Sequence, residues 1–182
     1  MRRRRLFLVA LSLLIAWTSA ACSNTNKFPD ATANIRKSLD QAGYKDVSVS
    51  QDRDKGVVTL TGTVTSDGDK TSAESIARNN ASSQVIANQI AVRPPENESE
   101  AKAVDADMDK AIEKNLDAVL VKKKLKKDVK YKVKNGVVTL SGDVPSQSRR
   151  SEVEKLVAGI PNVKQVVNEL DVKNQKASST GN

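Results

Sequence analysis

One ten-residue stretch of this chain occurs twice. Lys55-Gly56-Val57-Val58-Thr59-Leu60-Thr61-Gly62-Thr63-Val64 returns as Asn135-Gly136-Val137-Val138-Thr139-Leu140-Ser141-Gly142-Asp143-Val144, and the copies stay aligned without a gap, at an offset of 80, until Val92 meets Val172. Over those 38 paired positions 11 are identical, and seven of the identities fall inside the stretch itself. A tandem duplication therefore divides the 182 residues into two units of about 65 residues, each with a small core and modest stability of its own.

The repeated stretch reads as the second half of a β-hairpin. Asn135-Gly136 is a strong two-residue turn signal, because a type I′ turn needs positive φ at both central positions. Before it Val129, Tyr131 and Val133 alternate with lysines, and after it Val138, Leu140 and Val144 alternate with Val137, Thr139, Ser141 and Asp143. One face is thus apolar and the other wet. Gly142, like Gly62, lies on the apolar face, where it admits a close helix or marks a bulge. The first copy turns through Asp54-Lys55-Gly56, a longer connection.

Around each hairpin the same elements recur. Asp30 caps a helix carrying Ile35, Leu39 and Ala42 that ends near Gly43; Ser66 or Asp67 caps a second helix, and the segment from Val85 to Val92 closes the unit as a strand. In the second unit Ala101, Val104, Met108, Ala111, Ile112, Leu116 and Val119 predict one long helix over about 99–121, with Asp105, Asp107 and Asp109 near its start. Ser146 then caps a helix that Gly159, in a left-handed conformation, and Pro161 stop. Asn88 and Asn168 stand alone on otherwise apolar inward rows, as amides that satisfy backbone groups left unpaired nearby. Gly56, Gly62, Gly136, Gly142 and Gly159 are accordingly read as structural residues.

The N-terminus has Arg2 to Arg5, an apolar run from Leu6 to Trp17 and small residues up to Cys22, the layout of an export signal over residues 1–21. Cys22 is the sole cysteine, so no intramolecular disulfide forms. Directly after Ser19-Ala20-Ala21 it resembles the acylated cysteine of a bacterial lipoprotein signal; the other reading is an ordinary small-x-small cleavage site. Residues 22–29 then form a tether, 30–93 the first domain, 94–100 a linker stiffened by Pro94 and Pro95, 101–173 the second domain and 174–182 a polar tail.

Two units, each with G-V-V-T-L-[ST]-G-x-V and then Ile86-Ala87-Asn88-Gln89-Ile90-Ala91-Val92 or Val166-Val167-Asn168-Glu169-Leu170-Asp171-Val172, resemble BON domains, named for bacterial osmotically inducible and nodulation proteins. The layout is similar to the dual-BON envelope lipoproteins. The resemblance implies an α+β fold of two tandem αββαβ domains, each a three-stranded mixed sheet with two helices on one face. It also implies a non-catalytic role in envelope integrity, an outer-membrane location facing the periplasm, and binding of anionic phospholipid through the second domain.

Composition narrows the chemistry. With no histidine and one terminal cysteine, Cys/His metal sites and Ser-His or Cys-His nucleophiles are excluded, and no glycine-rich loop cradles a phosphate. No catalytic residue, metal or other cofactor is expected. Removing residues 1–21 takes away four of 30 basic side chains and none of 22 acidic ones, lowering the net charge from +8 to +4; nothing calls for a nucleic-acid partner. The remaining charge is uneven. The first unit, from Phe28 to Pro95, balances eight basic against eight acidic residues, whereas residues 101–173 hold 16 against 11. Much of that excess is one segment in which Lys122, Lys123, Lys124, Lys126, Lys127, Lys130 and Lys132 are interrupted by Leu125 and Tyr131. Read as a site, the lysines attract an anionic phospholipid membrane while Leu125 and Tyr131 enter its headgroup layer. Read as structure, they keep an edge strand soluble, and the chain is an envelope scaffold with a protein partner.

Overall fold

The computed structural model describes residues 28–173. The expected export signal, Cys22 and the tail from Asn174 lie outside the described residues. In chain order the first unit is α1 (Thr32–Gln41), β1 (Val47–Asp52), β2 (Val57–Val64), α2 (Asp67–Asn80), β3 (Val85–Asn88) and β4 (Ala91–Val92). The second is α3 (Glu98–Lys122), β5 (Val129–Lys134), β6 (Val137–Val144), α4 (Gln147–Ala158), β7 (Gln165–Asn168) and β8 (Asp171–Val172).

In each unit the repeated stretch is the central strand. β2 pairs antiparallel with β1 across the hairpin, and the crossover through α2 returns the chain parallel to β2 on its other side. β3 and β4 are two halves of one edge strand, since Leu60↔Asn88 and Thr63↔Ala91 keep the same register; β7 and β8 repeat this against β6. The result is the expected three-rank mixed sheet, with both helices covering one face. Ile35, Leu39, Val58, Leu60, Ala73, Ala77, Ile86 and Ile90 fill the first core; Ile112, Leu116, Leu120, Val138, Leu140, Val153, Val157 and Leu170 fill the second.

Local signals place these elements. Asp30 accepts the Thr32 amide at 2.9 Å, and Ser66 and Ser146 accept the Asp69 and Arg149 amides at 3.1 and 3.2 Å, satisfying helix donors that have no partner within the helix. Asn135 and Gly136 have φ of 50° and 79°, as a type I′ turn requires. Gly62 and Gly142, at φ of 114° and 117°, make room for a strand and not for a helix: a Cβ on either would overlap the carbonyl oxygen of Asp46 or Asp128 at the start of the partner strand.

Four expectations are corrected. Gly159 is right-handed at φ −81°; the left-handed residue is Asn162 (φ 68°), three positions on, matched by Ser82 (φ 55°) in the first unit. Helix α3 begins at Glu98 and takes the last three residues of the expected linker. The acids of α3 make specific contacts beyond any helix-start role: Asp105 pairs with Arg93 at 2.6 Å, and Asp109 accepts the Asn135 and Gly136 amides at 2.8 Å each. With those contacts formed, Val104 and Met108 remain exposed instead of joining the core.

The fourth correction concerns the wet face of the hairpin. Val57 and Val137 are 4% and 2% exposed, because they cluster with Ala87 and Val167. These four residues are two repeat pairs at the offset of 80, so the sheets meet through equivalent positions, face to face, with helices outermost. The layers run helix, sheet, sheet, helix. Gln165 ties the units by donating to the Ile86 carbonyl at 2.6 Å and accepting the Asn88 amide at 3.1 Å, which pairs two backbone groups on the free edge of β3. Asn135 Nδ2 donates to the Gln89 carbonyl at 2.7 Å, and Lys55 reaches Asp171 at 2.5 Å.

Candidate functional site

The lysine segment starts in the last turn of α3 and runs through β5. Lys123 caps the helix, and its amide donates to the Val119 carbonyl at 3.0 Å. Lys124 takes the left-handed conformation (φ 57°) that turns the chain away, and the Leu125 amide then closes back on the Leu120 carbonyl at 2.8 Å. This reversal drives Leu125 into the core, where it is 3% exposed. Leu125 therefore cannot enter a headgroup layer: it packs with Leu120 and Val129 as the hydrophobic contact that accompanies a helix C-cap.

Tyr131 is also engaged. Its ring packs on the edge of the second core, and its hydroxyl donates to the Asp117 carboxylate at 2.5 Å. Lys126 binds the same carboxylate and lies 5.4 Å from the Tyr131 ring centroid, within cation–π range. Lys126, and then Tyr131, hold Asp117 below the ordinary carboxylate range. Burial, reinforced by the hydrogen bond to Asp117, raises the Tyr131 phenol, so it stays protonated at neutral pH.

The remaining lysines separate into two groups. Lys122, Lys123, Lys124 and Lys127 are exposed around the end of α3 and form no salt bridge among the described residues. Beside them Val121 is 62% exposed, an apolar side chain in the position that the sequence reading gave to Leu125. Periodicity counts Val119 toward the core and says nothing of its neighbour, which is why Val121 escaped notice. Lys130 and Lys132, also exposed, stand on the other face of β5, opposite Ser141 and Thr139, and Lys132 shares a cleft with Thr59 and Gln89 of the first unit. Lys132 acts there on Glu169, whose carboxyl burial raises, aided by Asp52, while Lys55 and Lys132 oppose the rise.

The two asparagines tie the closing strands to their helices. Asn88 Nδ2 donates to the Lys70 carbonyl and to Glu74, at 3.2 and 2.9 Å, while its Oδ1 accepts the Ile90 amide at 3.3 Å where the ladder is interrupted. Asn168 repeats all three contacts with Arg150, Glu154 and Leu170. Glu74 and Glu154 were missed by sequence reasoning, although they are among the identical repeat pairs. Of the structural glycines, Gly56 admits the Phe28 ring and Gly136 faces Lys164 Cγ, which a Cβ would meet at 2.9 Å. No three or more Asp, Glu, Cys or His among the described residues gather to hold a metal.

The family model described as the BON domain matches this chain twice, over residues 29–94 and 108–174. The chain belongs to the BON family. Both matches coincide with the two αββαβ units, and the second omits the front half of α3, for which the first unit has no counterpart. BON domains are linked to phospholipid binding and envelope-associated roles and are generally non-catalytic. No curated relative matches the chain. Two solved structures of CdsD, a structural protein of the type III secretion system of Chlamydia trachomatis, are similar at 16% and 14% identity, with TM-scores of 0.33 and 0.35. They cover 78% of this chain, and 63% and 91% of their own; at these scores neither likeness bears on function. No helix among the described residues is long and apolar enough to cross a membrane.

Proposed function

We propose that this dual-BON protein is exported, acylated at Cys22 and held at the outer membrane facing the periplasm, where its second domain engages anionic phospholipid and supports envelope integrity. The reading is carried by one observation: Lys122, Lys123, Lys124 and Lys127 are exposed around the end of α3 without ion-pair partners among the described residues, with Val121 exposed beside them. Lysine, a hydrated point charge, suits a diffuse anionic surface. Each such cation near an anionic bilayer contributes about 1 kcal/mol before screening. Lys126 serves the Asp117–Tyr131 contact, and Lys132 lies beside Thr59 and Gln89 of the first unit, so the lipid surface is smaller than the full lysine segment. Acylation is checked by the intact mass of envelope-purified protein, which should begin at Cys22 with added acyl chains; an unmodified Cys22 terminus removes the anchor from the proposal.

The test uses the soluble chain from Ser23 to Asn182, which contains every described residue, and vesicles with and without anionic phospholipid. Removing three attractions of about 1 kcal/mol each corresponds to roughly a 100-fold loss of affinity, and reversal to Glu adds repulsion. The triple variant Lys122→Glu/Lys123→Glu/Lys127→Glu should therefore lose binding to anionic vesicles at low salt while keeping its melting temperature, and the difference should shrink as salt rises. Wild-type protein that ignores anionic vesicles at low salt, or a triple variant that binds them equally, overturns the reading in favour of a protein-binding scaffold.

A further inference from the structure

The junction of the two domains holds charge that the fold and the lipid surface leave unused. A cleft of about 250 Å³ opens there, with Lys70, Glu74 and Arg78 of α2 on one wall, Lys164 and Gln165 of the second unit on the other, and Asn88 at its end. Lys70 is half-buried, Lys164 is exposed, and neither forms a salt bridge among the described residues. Of the three acids that act on Lys70, Asp105, Asp67 and Glu74, two are already engaged. Glu74 is held by Arg78 at 2.5 Å and by Asn88 at 2.9 Å, and Asp105 by Arg93 at 2.6 Å.

Two ammonium groups brought together by the packing of two domains repel each other. Burial, and next the charge of Lys164, hold Lys70 below the ordinary lysine range, against the opposing pull of Asp105, Asp67 and Glu74. The duplication supplies an internal control. At the offset of 80, Lys70 corresponds to Arg150 and Lys164 to Gln84. Arg150 donates to the Asn168 carbonyl at 2.6 Å, and Gln84 is buried and hydrogen-bonded to Gln51. The unpartnered pair therefore belongs to one end of the junction alone.

We propose that this interdomain cleft binds a phosphate-bearing anion the size of a lipid headgroup, clasped by Lys70 from the first domain and Lys164 from the second. Two ammonium donors on opposite walls suit a compact oxyanion that presents an oxygen to each. The space lies below the usual range for a whole drug-sized ligand; it admits a phosphate with a glycerol-sized substituent and leaves acyl chains outside. Such a ligand relieves the repulsion and bridges the domains, so it raises the stability of the pair by mass action. The site is separate from the lysines at the end of α3 and stands whether or not those lysines meet a bilayer.

The test titrates the soluble chain from Ser23 to Asn182 with three probes: inorganic phosphate, glycerol phosphate and monomeric dihexanoyl phosphatidylglycerol. Calorimetry should give saturable binding, amide shifts should centre on residues 70–78 and 162–165, and the melting temperature should rise with probe concentration. Lys70→Met and Lys164→Gln should each weaken binding tenfold or more without lowering the melting temperature of the free protein, whereas Lys122→Glu/Lys123→Glu/Lys127→Glu should leave it unchanged. A tenfold preference for the phosphatidylglycerol identifies a lipid headgroup, and equal binding of all three identifies a free phosphate; either supports the site. No saturable binding of any probe up to about 50 mM, or binding that both lysine variants retain in full, overturns it.

Discussion

Gly142→Ala isolates the backbone requirement on which each hairpin depends. The residue sits at φ 117°, and a Cβ there would overlap the Asp128 carbonyl oxygen. The obstacle is the backbone of Asp128, just before Val129, which pairs with Gly142, so no side chain can rotate away to relieve it. An L-residue at such a φ costs about 1–2 kcal/mol, and forced overpacking adds about 1–3 kcal/mol, giving roughly 2–5 kcal/mol together. For a small domain each kcal/mol is about 4–8 °C in melting temperature, so the variant should melt at least about 8 °C lower. Gly68→Ala is the control: Gly68 lies in the first turns of α2 with only Ser66 Oγ nearby, at 3.6 Å, and alanine there should stabilise by up to about 1 kcal/mol. Circular dichroism melts of both variants, with Gly62→Ala as the first-unit twin, make the comparison. A Gly142→Ala protein within about 1 kcal/mol of wild type refutes the reasoning.

Asp109→Ala leaves the Asn135 and Gly136 amides without their carboxylate and should cost about 1.5–3 kcal/mol in denaturant unfolding; an unchanged midpoint would show that α3 does not clasp the turn. The carboxylates of Asp69, held down by Ser66 and Thr65, and of Glu74, held down by Asn88 and Arg78 against the opposing effect of burial, lie below their ordinary values. Their stabilisation is therefore complete above the unfolded-state value and lost as pH falls through the lower folded-state value. Stability should decline as pH drops below the ordinary glutamate value of 4.5, and less steeply in Glu74→Gln; identical pH profiles would contradict this. Val137→Asp buries a charge between the sheets and should lower the midpoint by more than Val85→Asp, whose parent side chain is 47% exposed.

The sequence displays the fold through features that act locally. Asn135-Gly136 dictates its turn, Ser66 and Ser146 need only an amide three residues on, and alternation in β5 and β6 assigns the inward row. What was not legible depends on partners distant in the chain. Val57 and Val137 alternate as though wet because the surface that covers them belongs to the other repeat, and a period-two pattern carries no sign of a second sheet. Leu125 looks like an exposed residue among lysines until Lys124 turns left-handed and folds it under α3. The front half of α3 shows an apolar stripe, but Asp105 and Asp109, in line with the buried Ile112 and Leu116, dock it by the adjacent side and leave Val104 and Met108 exposed. The repeat itself contained one clue that periodicity could not use: Glu74/Glu154 and Asn88/Asn168 are identical across the copies, and they meet in both units.

The central claim, that the second domain meets anionic lipid with the end of α3, is tested most directly by paramagnetic relaxation. Amide signals of the soluble chain are recorded on anionic vesicles carrying a headgroup spin label. The broadening should be greatest from Val121 to Lys124 and at Lys127, weaker at Lys130 and Lys132, and least over α1 and α2. Greatest broadening on α1 or α2, or broadening spread evenly over both domains, would contradict the account.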